Sequence, residues 1–148
     1  MNILLIEDSP GGIRLTLEAF GYENPSADIF VVKDGIEAMD FLRRGRIRPD
    51  LILLDLNMPK MDGRQVLAAI KEDESVKSIP TVILTTSDAE ADIMKSYQLQ
   101  ANSYLCKPVD FSAFEALVKR INEYWLTTSK FAPAPTAEFL AATLVATE

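Results

Sequence analysis

Five short runs of apolar residues are spaced along the chain, with polar turns and longer amphipathic segments between them. The runs cover residues 3–6, 29–32, 51–54, 82–84 and 103–106. The first four are continuously apolar, which is typical of strands that are buried on both faces of a sheet. The pattern therefore predicts five strands in a protein interior.

The segments between these runs carry apolar residues at helical spacing and polar residues where helices begin. Asp34 and Asp110 each precede such a segment, as helix-capping residues do, and residues 87–90 have the form of a capping box in which Ser87 caps the next helix. Strands that alternate with helices indicate parallel pairing through right-handed crossovers. The predicted fold is a doubly wound α/β fold.

The C-terminal part departs from this alternation. Residues 132–135 read Ala-Pro-Ala-Pro, which no helix continues through, and Thr136 then stands where it can cap a short apolar helix. The apolar residues of that helix are Phe139, Leu140 and Leu144. We therefore expect one domain over residues 1–126 and a C-terminal arm over residues 127–148, which is either a dimerisation element or a frayed tail.

Composition excludes several kinds of chemistry. The 148 residues include no histidine and one cysteine, Cys106, and the formal net charge is −7. The absence of histidine excludes a Ser-His-Asp triad, a histidine-ligated zinc and a phosphohistidine relay, and a single cysteine excludes an internal disulfide. The negative charge disfavours nucleic-acid binding. Cys106 lies in an apolar run and is expected to be a small core residue.

The chain carries no pattern that indicates a membrane or secretory location. No apolar run approaches the roughly 18 residues that a membrane-spanning helix needs. The N-terminus lacks the cationic region and cleavage site of a signal peptide. We therefore expect a cytoplasmic protein that does not bind a membrane.

Chemically active side chains follow the predicted strands at the ends where open parallel sheets bind ligands. Glu7 and Asp8 follow the first strand, and Asp55 follows the third. Thr85 follows the fourth strand and Lys107 follows the fifth. If the first and third strands are adjacent, three carboxylates, a hydroxyl and an ammonium group converge on one point.

Such a cluster restricts the reaction that it can support. Three neighbouring carboxylates repel one another, so one is driven to protonate unless a cation is present. Oxygen ligands at few positions suit Mg²⁺, which also shares phosphoryl oxygens. A carboxylate can attack phosphorus to form an aspartyl phosphate, while Mg²⁺, Lys107 and the Thr85 hydroxyl contact the phosphoryl oxygens.

Five motifs occur in order along the chain. They are Ile6-Glu7-Asp8, Leu53-Leu54-Asp55-Leu56-Asn57-Met58-Pro59, Asp62-Gly63, Leu84-Thr85-Thr86 and Tyr104-Leu105-Cys106-Lys107-Pro108. Together they resemble the response-regulator receiver family over about residues 2–126. The resemblance implies a flavodoxin-like receiver fold with a five-stranded parallel sheet in the order 2-1-3-4-5. It also implies a phosphorelay component of a two-component system, which is a signalling module and not an enzyme.

Carried over residue by residue, the resemblance assigns the phosphoryl and metal sites. Asp55 is implied to be the phosphoacceptor and a ligand of Mg²⁺. Asp8 is implied to bind Mg²⁺ directly and Glu7 to bind it through water. The backbone carbonyl of Asn57 completes the implied set of protein ligands.

The resemblance also implies a conformational switch. Lys107 would bind a phosphoryl oxygen, and Thr85 would swing toward the phosphoryl group as Tyr104 changes its rotamer. Pro108 would follow Lys107 through a cis peptide bond, as it often does in the family. The Met58-Pro59 and Asp62-Gly63 pairs are expected to form turns.

Two further stretches are similar to single-domain regulators that partner phytochrome-type histidine kinases. They are Leu84-Thr85-Thr86-Ser87 and Glu123-Tyr124-Trp125-Leu126. The implied partners are a sensor histidine kinase of bacteriophytochrome type, a downstream phosphotransfer protein and a second copy of the chain. Too few residues follow Trp125 for a helix-turn-helix domain, so we expect no DNA-binding output. Asn57 and Ser87 offer no acid or strong base to activate water, which predicts slow dephosphorylation.

Two other functions were weighed against this one. Haloacid-dehalogenase-like phosphatases use a second acid two residues after an aspartyl nucleophile, and Asn57 stands there instead. A pseudo-receiver keeps the fold and loses the chemistry, but this chain retains each of the reactive residues. Those residues are Asp8, Asp55, Thr85 and Lys107.

Overall fold

The computed structural model describes residues 1–147, with side chains through Thr143. The strands are β1 (Asn2–Ile6), β2 (Asp28–Val32), β3 (Leu51–Leu54), β4 (Thr81–Thr85) and β5 (Ser103–Cys106). The helices are α1 (Pro10–Glu23), α2 (Gly35–Arg44), α3 (Gly63–Glu72), α4 (Glu90–Gln98), α5 (Phe111–Ile121) and α6 (Ala137–Thr147). A π-helical segment, Asn122–Thr128, continues α5. All five predicted strands are present.

The strands form one parallel sheet in the order β2-β1-β3-β4-β5, which confirms the expected topology. The register pairs Ile6, the last residue of β1, with Val32 of β2 and with Leu54 of β3. The strand order reverses between β1 and β3, so the chain leaves these two strands at the switch point of the sheet. Residues that directly follow Ile6 and Leu54 are therefore neighbours.

The sheet is buried on both faces. Along β3, Ile52 and Leu54 join the core beneath α2 and α3, whereas Leu51 and Leu53 join the core beneath α1 and α5. All four side chains are fully buried. Because successive strand residues point to opposite faces, a strand covered on both sides needs apolar residues at every position. This requirement explains the continuous apolar runs.

Two of the predicted helix caps are confirmed and one is wrong. The Asp34 carboxylate accepts a hydrogen bond from the first turn of α2, and Asp110 does the same for α5. Helix α4 begins later than expected, with Ala89 at its N-cap and no side-chain cap. The Ser87 hydroxyl instead donates to the carboxylate of Asp92 at 2.6 Å. A tertiary contact thus replaces the local cap.

The expectation that Cys106 is a core residue is wrong, because its side chain is exposed. Strand β5 lies at the edge of the sheet, and Cys106 is its last residue, opposite Thr85 of β4. At an edge strand, the outermost residues have no further strand to cover them. The Cys106 Sγ lies 3.3 Å from the backbone oxygen of Ser87.

The C-terminal segment forms a helix that stands apart from the core. Trp125 and Phe131 pack, partly buried, against the core beneath α1 and α5. The Thr136 hydroxyl accepts a hydrogen bond of 3.1 Å from the backbone N–H of Phe139, so the predicted cap of α6 is confirmed. Phe139 is 55% exposed, and the side chain of Leu144 lies outside the described residues. The domain boundary after residue 126 stays a prediction. No helix within residues 1–147 has the length and apolar character to cross a bilayer.

Gly63, at the start of α3, is expected to be essential for stability. A Cβ there would stand 2.3 Å from the backbone oxygen of Asp55 and 2.5 Å from the Cα of Leu56. Because backbone atoms cannot move aside as a flexible side chain can, Gly63→Ala should lower the free energy of unfolding by about 2 kcal/mol.

Gly21 of α1 offers a matched control, since a Cβ there would meet no atom within 4 Å. Gly21→Ala should raise the free energy of unfolding by about 0.5 kcal/mol, because alanine is the better helix former. Urea unfolding of both variants measures the difference. A Gly63→Ala variant as stable as the wild type would contradict the close packing of α3 on β3.

Candidate active site

Three carboxylates meet where the chain leaves β1 and β3. The backbone N–H of Glu7 donates to Val32 at 3.0 Å, and that of Asp55 donates to Ile6 at 3.0 Å, so the pattern of the sheet continues one residue past each strand. One carboxylate oxygen from each of Glu7, Asp8 and Asp55 lies within 4.8 Å of the other two. The parallel pairing of β1 with β3 thus assembles the acidic cluster.

Burial and charge act against one another within this cluster. Glu7 is 2% exposed and Asp55 is 9% exposed. Burial raises the pKa of the Glu7 carboxyl, the hydrogen bond from Lys107 opposes that rise, and the charge of Asp55 adds to it. Three acids thus share one ammonium group within the cluster. The excess of negative charge favours binding of a further cation.

Lys107 supplies the positive charge of the site. Its ammonium group forms an ion pair with Glu7 and lies 3.9 Å from the Asp55 Oδ2 atom. Its backbone N–H donates to the carbonyl of Thr85 at 2.7 Å, which carries the β4–β5 pairing one residue beyond β5. The Lys107–Pro108 peptide bond is trans, so the cis form expected from the resemblance is absent here. The trans form is the intrinsic preference of a bond that precedes proline.

A cavity of about 390 Å³ opens above the acids. Its polar lining is Glu7, Asp8, Ser9, Asp55, Asn57, Thr86 and Lys107. Leu15, Pro108 and Phe114 form an apolar side of the same cavity. The backbone N–H of Asn57 lies 3.3 Å from Asp55 Oδ1, whereas Oδ2 is the oxygen nearer Lys107. Asp55 is therefore held from one side and open to a small ligand above it.

The start of α1 packs closely on Glu7. Ser9 caps the helix by accepting a hydrogen bond from the N–H of Gly12 at 3.2 Å, and its own N–H donates to Glu7 Oε1 at 3.2 Å. A Cβ on Gly12 would stand 3.2 Å from the Glu7 carboxyl carbon. The glycine thus leaves room for the buried acid.

Thr85 and Tyr104 are not gathered into the acidic cluster. Thr85 is fully buried, its hydroxyl has no hydrogen-bond partner among the described residues, and the cavity is lined by Thr86 instead. The Tyr104 hydroxyl donates to the backbone oxygen of Ser87 at 2.9 Å, and burial raises the pKa of that tyrosine. The switching roles of Thr85 and Tyr104 stay predictions.

A second polar cluster, which the sequence analysis missed, lies beside the β4–α4 loop. Arg64 of α3 forms an ion pair with Asp92 of α4, and Asp92 also accepts the hydrogen bond from Ser87. Arg64 and Asp92 are 28 residues apart in sequence and meet only because α3 and α4 pack side by side. No local pattern in the chain indicates this pair.

The acidic cluster is suited to a divalent metal ion. Glu7, Asp8 and Asp55 offer only oxygen donors, which are close together and carry a net negative charge. Mg²⁺ and Mn²⁺ both prefer such ligands, and a few carboxylates leave room for water and phosphoryl oxygens in the coordination shell. The residues present therefore fit a metal of this type.

A parallel sheet of this order, with an acidic cluster and a lysine at its carboxyl edge, defines a receiver-type signalling domain. Residues 3–121 match the family described as response regulator receiver domain. The chain belongs to that family.

Named relatives refine this assignment. Response regulator Rcp1 of Synechocystis sp. is 43% identical over 131 residues, which cover 85% of this chain and 89% of Rcp1. The phosphorylated cyanobacterial phytochrome response regulator RcpA superposes with a TM-score of 0.85 at 45% identity, over 89% of this chain and 98% of RcpA. The Mn²⁺-bound form of Rcp1 gives a TM-score of 0.82 at 41% identity, over 89% of this chain and 99% of that structure.

The two acids at the end of β1 should contribute unequally to metal affinity. Glu7 is already engaged by Lys107 and by the N–H of Ser9, whereas Asp8 is half-buried and forms no ion pair among the described residues. Asp8→Asn should therefore weaken Mg²⁺ binding by at least about tenfold, and Glu7→Gln should weaken it less. Titration calorimetry of the purified variants measures both affinities.

Asp88→Asn is the control for this comparison, because Asp88 is an exposed acid outside the cluster. Its removal should leave Mg²⁺ affinity within about twofold of the wild type, since exposed charges are strongly screened. Equal losses for Asp8→Asn and Glu7→Gln would refute the ranking of the two ligands.

Proposed function

We propose that this protein accepts a phosphoryl group on Asp55 from a histidine kinase, in a reaction that requires Mg²⁺. The observation that carries the proposal is the setting of Asp55. Its carboxylate lies at the switch point of the sheet and opens into the cavity, with two acids beside it and the ammonium group of Lys107 at 3.9 Å. This arrangement combines a nucleophile, a metal-binding cluster and a fixed cation.

The chain's own residues have separate parts in the proposed transfer. An Asp55 oxygen attacks phosphorus, an oxygen–phosphorus bond forms, and the bond from phosphorus to the donor imidazole nitrogen breaks. The N–H of Asn57 orients Oδ1, so Oδ2 is the oxygen that we assign as nucleophile. Lys107 then neutralises a phosphoryl oxygen. Bound Mg²⁺, held by Asp8, Asp55, the Asn57 carbonyl and, through water, Glu7, supplies further charge neutralisation.

The proposal includes the conformational response of Thr85 and Tyr104. A buried hydroxyl without a partner is energetically unfavourable, and a phosphoryl oxygen on Asp55 would give the Thr85 hydroxyl an acceptor. Movement of Thr85 would displace the β4–α4 loop, to which Tyr104 is hydrogen-bonded. The signal would then pass to the surface formed by α4, β5 and α5.

We infer the partners from the relatives and from the chemistry. RcpA is described as a phytochrome response regulator, which supports a sensor kinase of bacteriophytochrome type as the phosphodonor. A downstream phosphotransfer protein is the second proposed partner. Transfer from a kinase that uses ATP places the proposed reaction in the cytoplasm. The protein would catalyse its own phosphorylation and slow dephosphorylation, and would act as a signalling module.

Phosphate should appear on Asp55 when the protein is incubated with such a kinase, labelled ATP and Mg²⁺. The product should be acid-labile and sensitive to hydroxylamine, because it is an acyl phosphate. Asp55→Asn should abolish the label, since an amide is a poor nucleophile, and chelation of Mg²⁺ should do the same.

Asp88→Asn serves here as a control that removes an exposed acid and should be labelled as the wild type is. Circular dichroism of Asp55→Asn establishes that the fold is kept. Full labelling of Asp55→Asn, or labelling at the wild-type level without a divalent metal, would contradict the proposed reaction.

We also propose that the protein forms a two-fold homodimer through its C-terminal arm and the α4–β5–α5 surface. Tyr97 of α4 and Tyr124 of the π-helical segment are 50% and 56% exposed, and Phe139 of α6 is 55% exposed. Aromatic side chains of this kind commonly anchor interfaces. Helix α6 is apolar and projects Phe139 into solvent, which supports packing of the arm on a partner subunit.

Removal of residues 136–148 should convert the dimer into a monomer, as measured by light scattering. The cut leaves Phe131 in place, so the packing of that residue on the core is kept. Phe139→Asp in the full chain should have the same effect, because a charge at an apolar contact is costly. Tyr22→Asp, on the exposed surface of α1, is the control. An unchanged mass for both arm variants would show that the arm does not hold the dimer.

A further inference from the structure

The β4–α4 loop is held in place by polar contacts from three elements. The Ser87 hydroxyl donates to Asp92 Oδ2 at 2.6 Å, which ties the loop to α4. The Ser87 backbone oxygen accepts a hydrogen bond from the Tyr104 hydroxyl at 2.9 Å and lies 3.3 Å from the Cys106 sulfur, which ties the loop to β5. Both the side chain and the backbone of Ser87 are therefore fixed.

Arg64 extends these contacts to α3. Its Nη2 atom contacts Asp92 Oδ1, the oxygen that Ser87 leaves free, so each carboxylate oxygen has its own donor. The side chains of Arg64 and Asp92 are 30% and 24% exposed. The hydrogen bond from Ser87 and the contact with Arg64 lower the pKa of the Asp92 carboxyl, so the group is ionised at neutral pH. Charge-assisted hydrogen bonds of this kind are stronger than neutral ones.

The loop that these contacts fix also determines the position of Thr85, two residues before Ser87. The Thr85 hydroxyl is buried and has no partner among the described residues, and it does not line the cavity above Asp55. An unsatisfied buried hydroxyl favours any arrangement that provides it with an acceptor. The contacts around Ser87 therefore hold the loop in an arrangement that the Thr85 hydroxyl by itself disfavours.

We propose that Arg64, Asp92 and Ser87 form a latch that holds Thr85 away from Asp55 and so disfavours the phosphorylated state. The three are positioning residues, because they act through the loop and do not line the site. Contacts made in only one of two states shift the equilibrium toward that state, so loss of the latch would favour the phosphorylated arrangement. The inference rests on phosphorylation of Asp55 as proposed above.

The test measures the affinity of the full chain for beryllium trifluoride, a mimic of a bound phosphoryl group, at saturating Mg²⁺. Arg64→Gln and Asp92→Asn should each bind it about tenfold more tightly than the wild type, within the range typical of allosteric coupling. The double variant should gain no more than either single variant, because both changes open the same latch. Ser87→Ala, which removes only a hydroxyl, should shift affinity in the same direction.

Simple electrostatics makes a different prediction for one of these variants. Loss of the Arg64 charge should weaken binding of an anion if the residue acts only through its charge, whereas the latch requires tighter binding. Asp88→Asn, an exposed acid in the same loop, matches the charge change of Asp92→Asn and should leave affinity unchanged. In a Thr85→Ala background, Arg64→Gln should bring no gain, because the hydroxyl that the latch restrains is absent.

The outcomes separate the latch from the proposed function. Tighter binding by Arg64→Gln, Asp92→Asn and Ser87→Ala, with Asp88→Asn unchanged, supports the latch. Unchanged or weaker binding by Arg64→Gln or by Ser87→Ala, in variants whose thermal unfolding shows a folded protein, overturns the latch and leaves Asp55 phosphorylation standing. A wild-type protein that binds neither Mg²⁺ nor the phosphoryl mimic overturns both proposals.

Discussion

Repulsion among the three carboxylates at the carboxyl edge of the sheet is the constraint on which the rest of the site depends. The pairing of β1 with β3 places oxygens of Glu7, Asp8 and Asp55 within 4.8 Å of one another. Lys107 offsets part of this charge, and the remaining excess is the physical reason for metal binding. A site that is strained without a cation and relieved by one is suited to a reaction that brings an anionic phosphoryl group and a divalent metal together.

Backbone packing around the acids is as tight as the charge constraint is strict. Gly63 allows the first turn of α3 to approach the backbone of Asp55, and Gly12 allows α1 to approach Glu7. Asp62 caps α3 with a reciprocal contact to Gln65, so the loop after Asp55 ends at a fixed point. The nucleophile is therefore held by rigid elements on both sides, which is the arrangement that phosphoryl transfer requires from a protein that supplies positioning and charge.

The β4–α4 loop has the opposite character, because its polar contacts satisfy Ser87 while the neighbouring Thr85 hydroxyl stays unsatisfied. Such an imbalance gives the loop two competing arrangements, one favoured by its contacts with α4 and β5 and the other by an acceptor above Asp55. The site and the α4–β5–α5 surface are then linked through a single short loop. Membership of the response regulator receiver family agrees with a signalling role for this link.

The sequence by itself determined the five strands, the caps at Asp34 and Asp110, and the placement of the acids directly after strands, because burial periodicity and capping are local properties. The expected sheet order of the family was confirmed as well. Only the tertiary structure decided that Cys106 is exposed, since that depends on β5 being an edge strand. Likewise, Ser87 caps no helix and Arg64 meets Asp92 because α3 and α4 pack together, and contacts between residues far apart in sequence leave no local pattern.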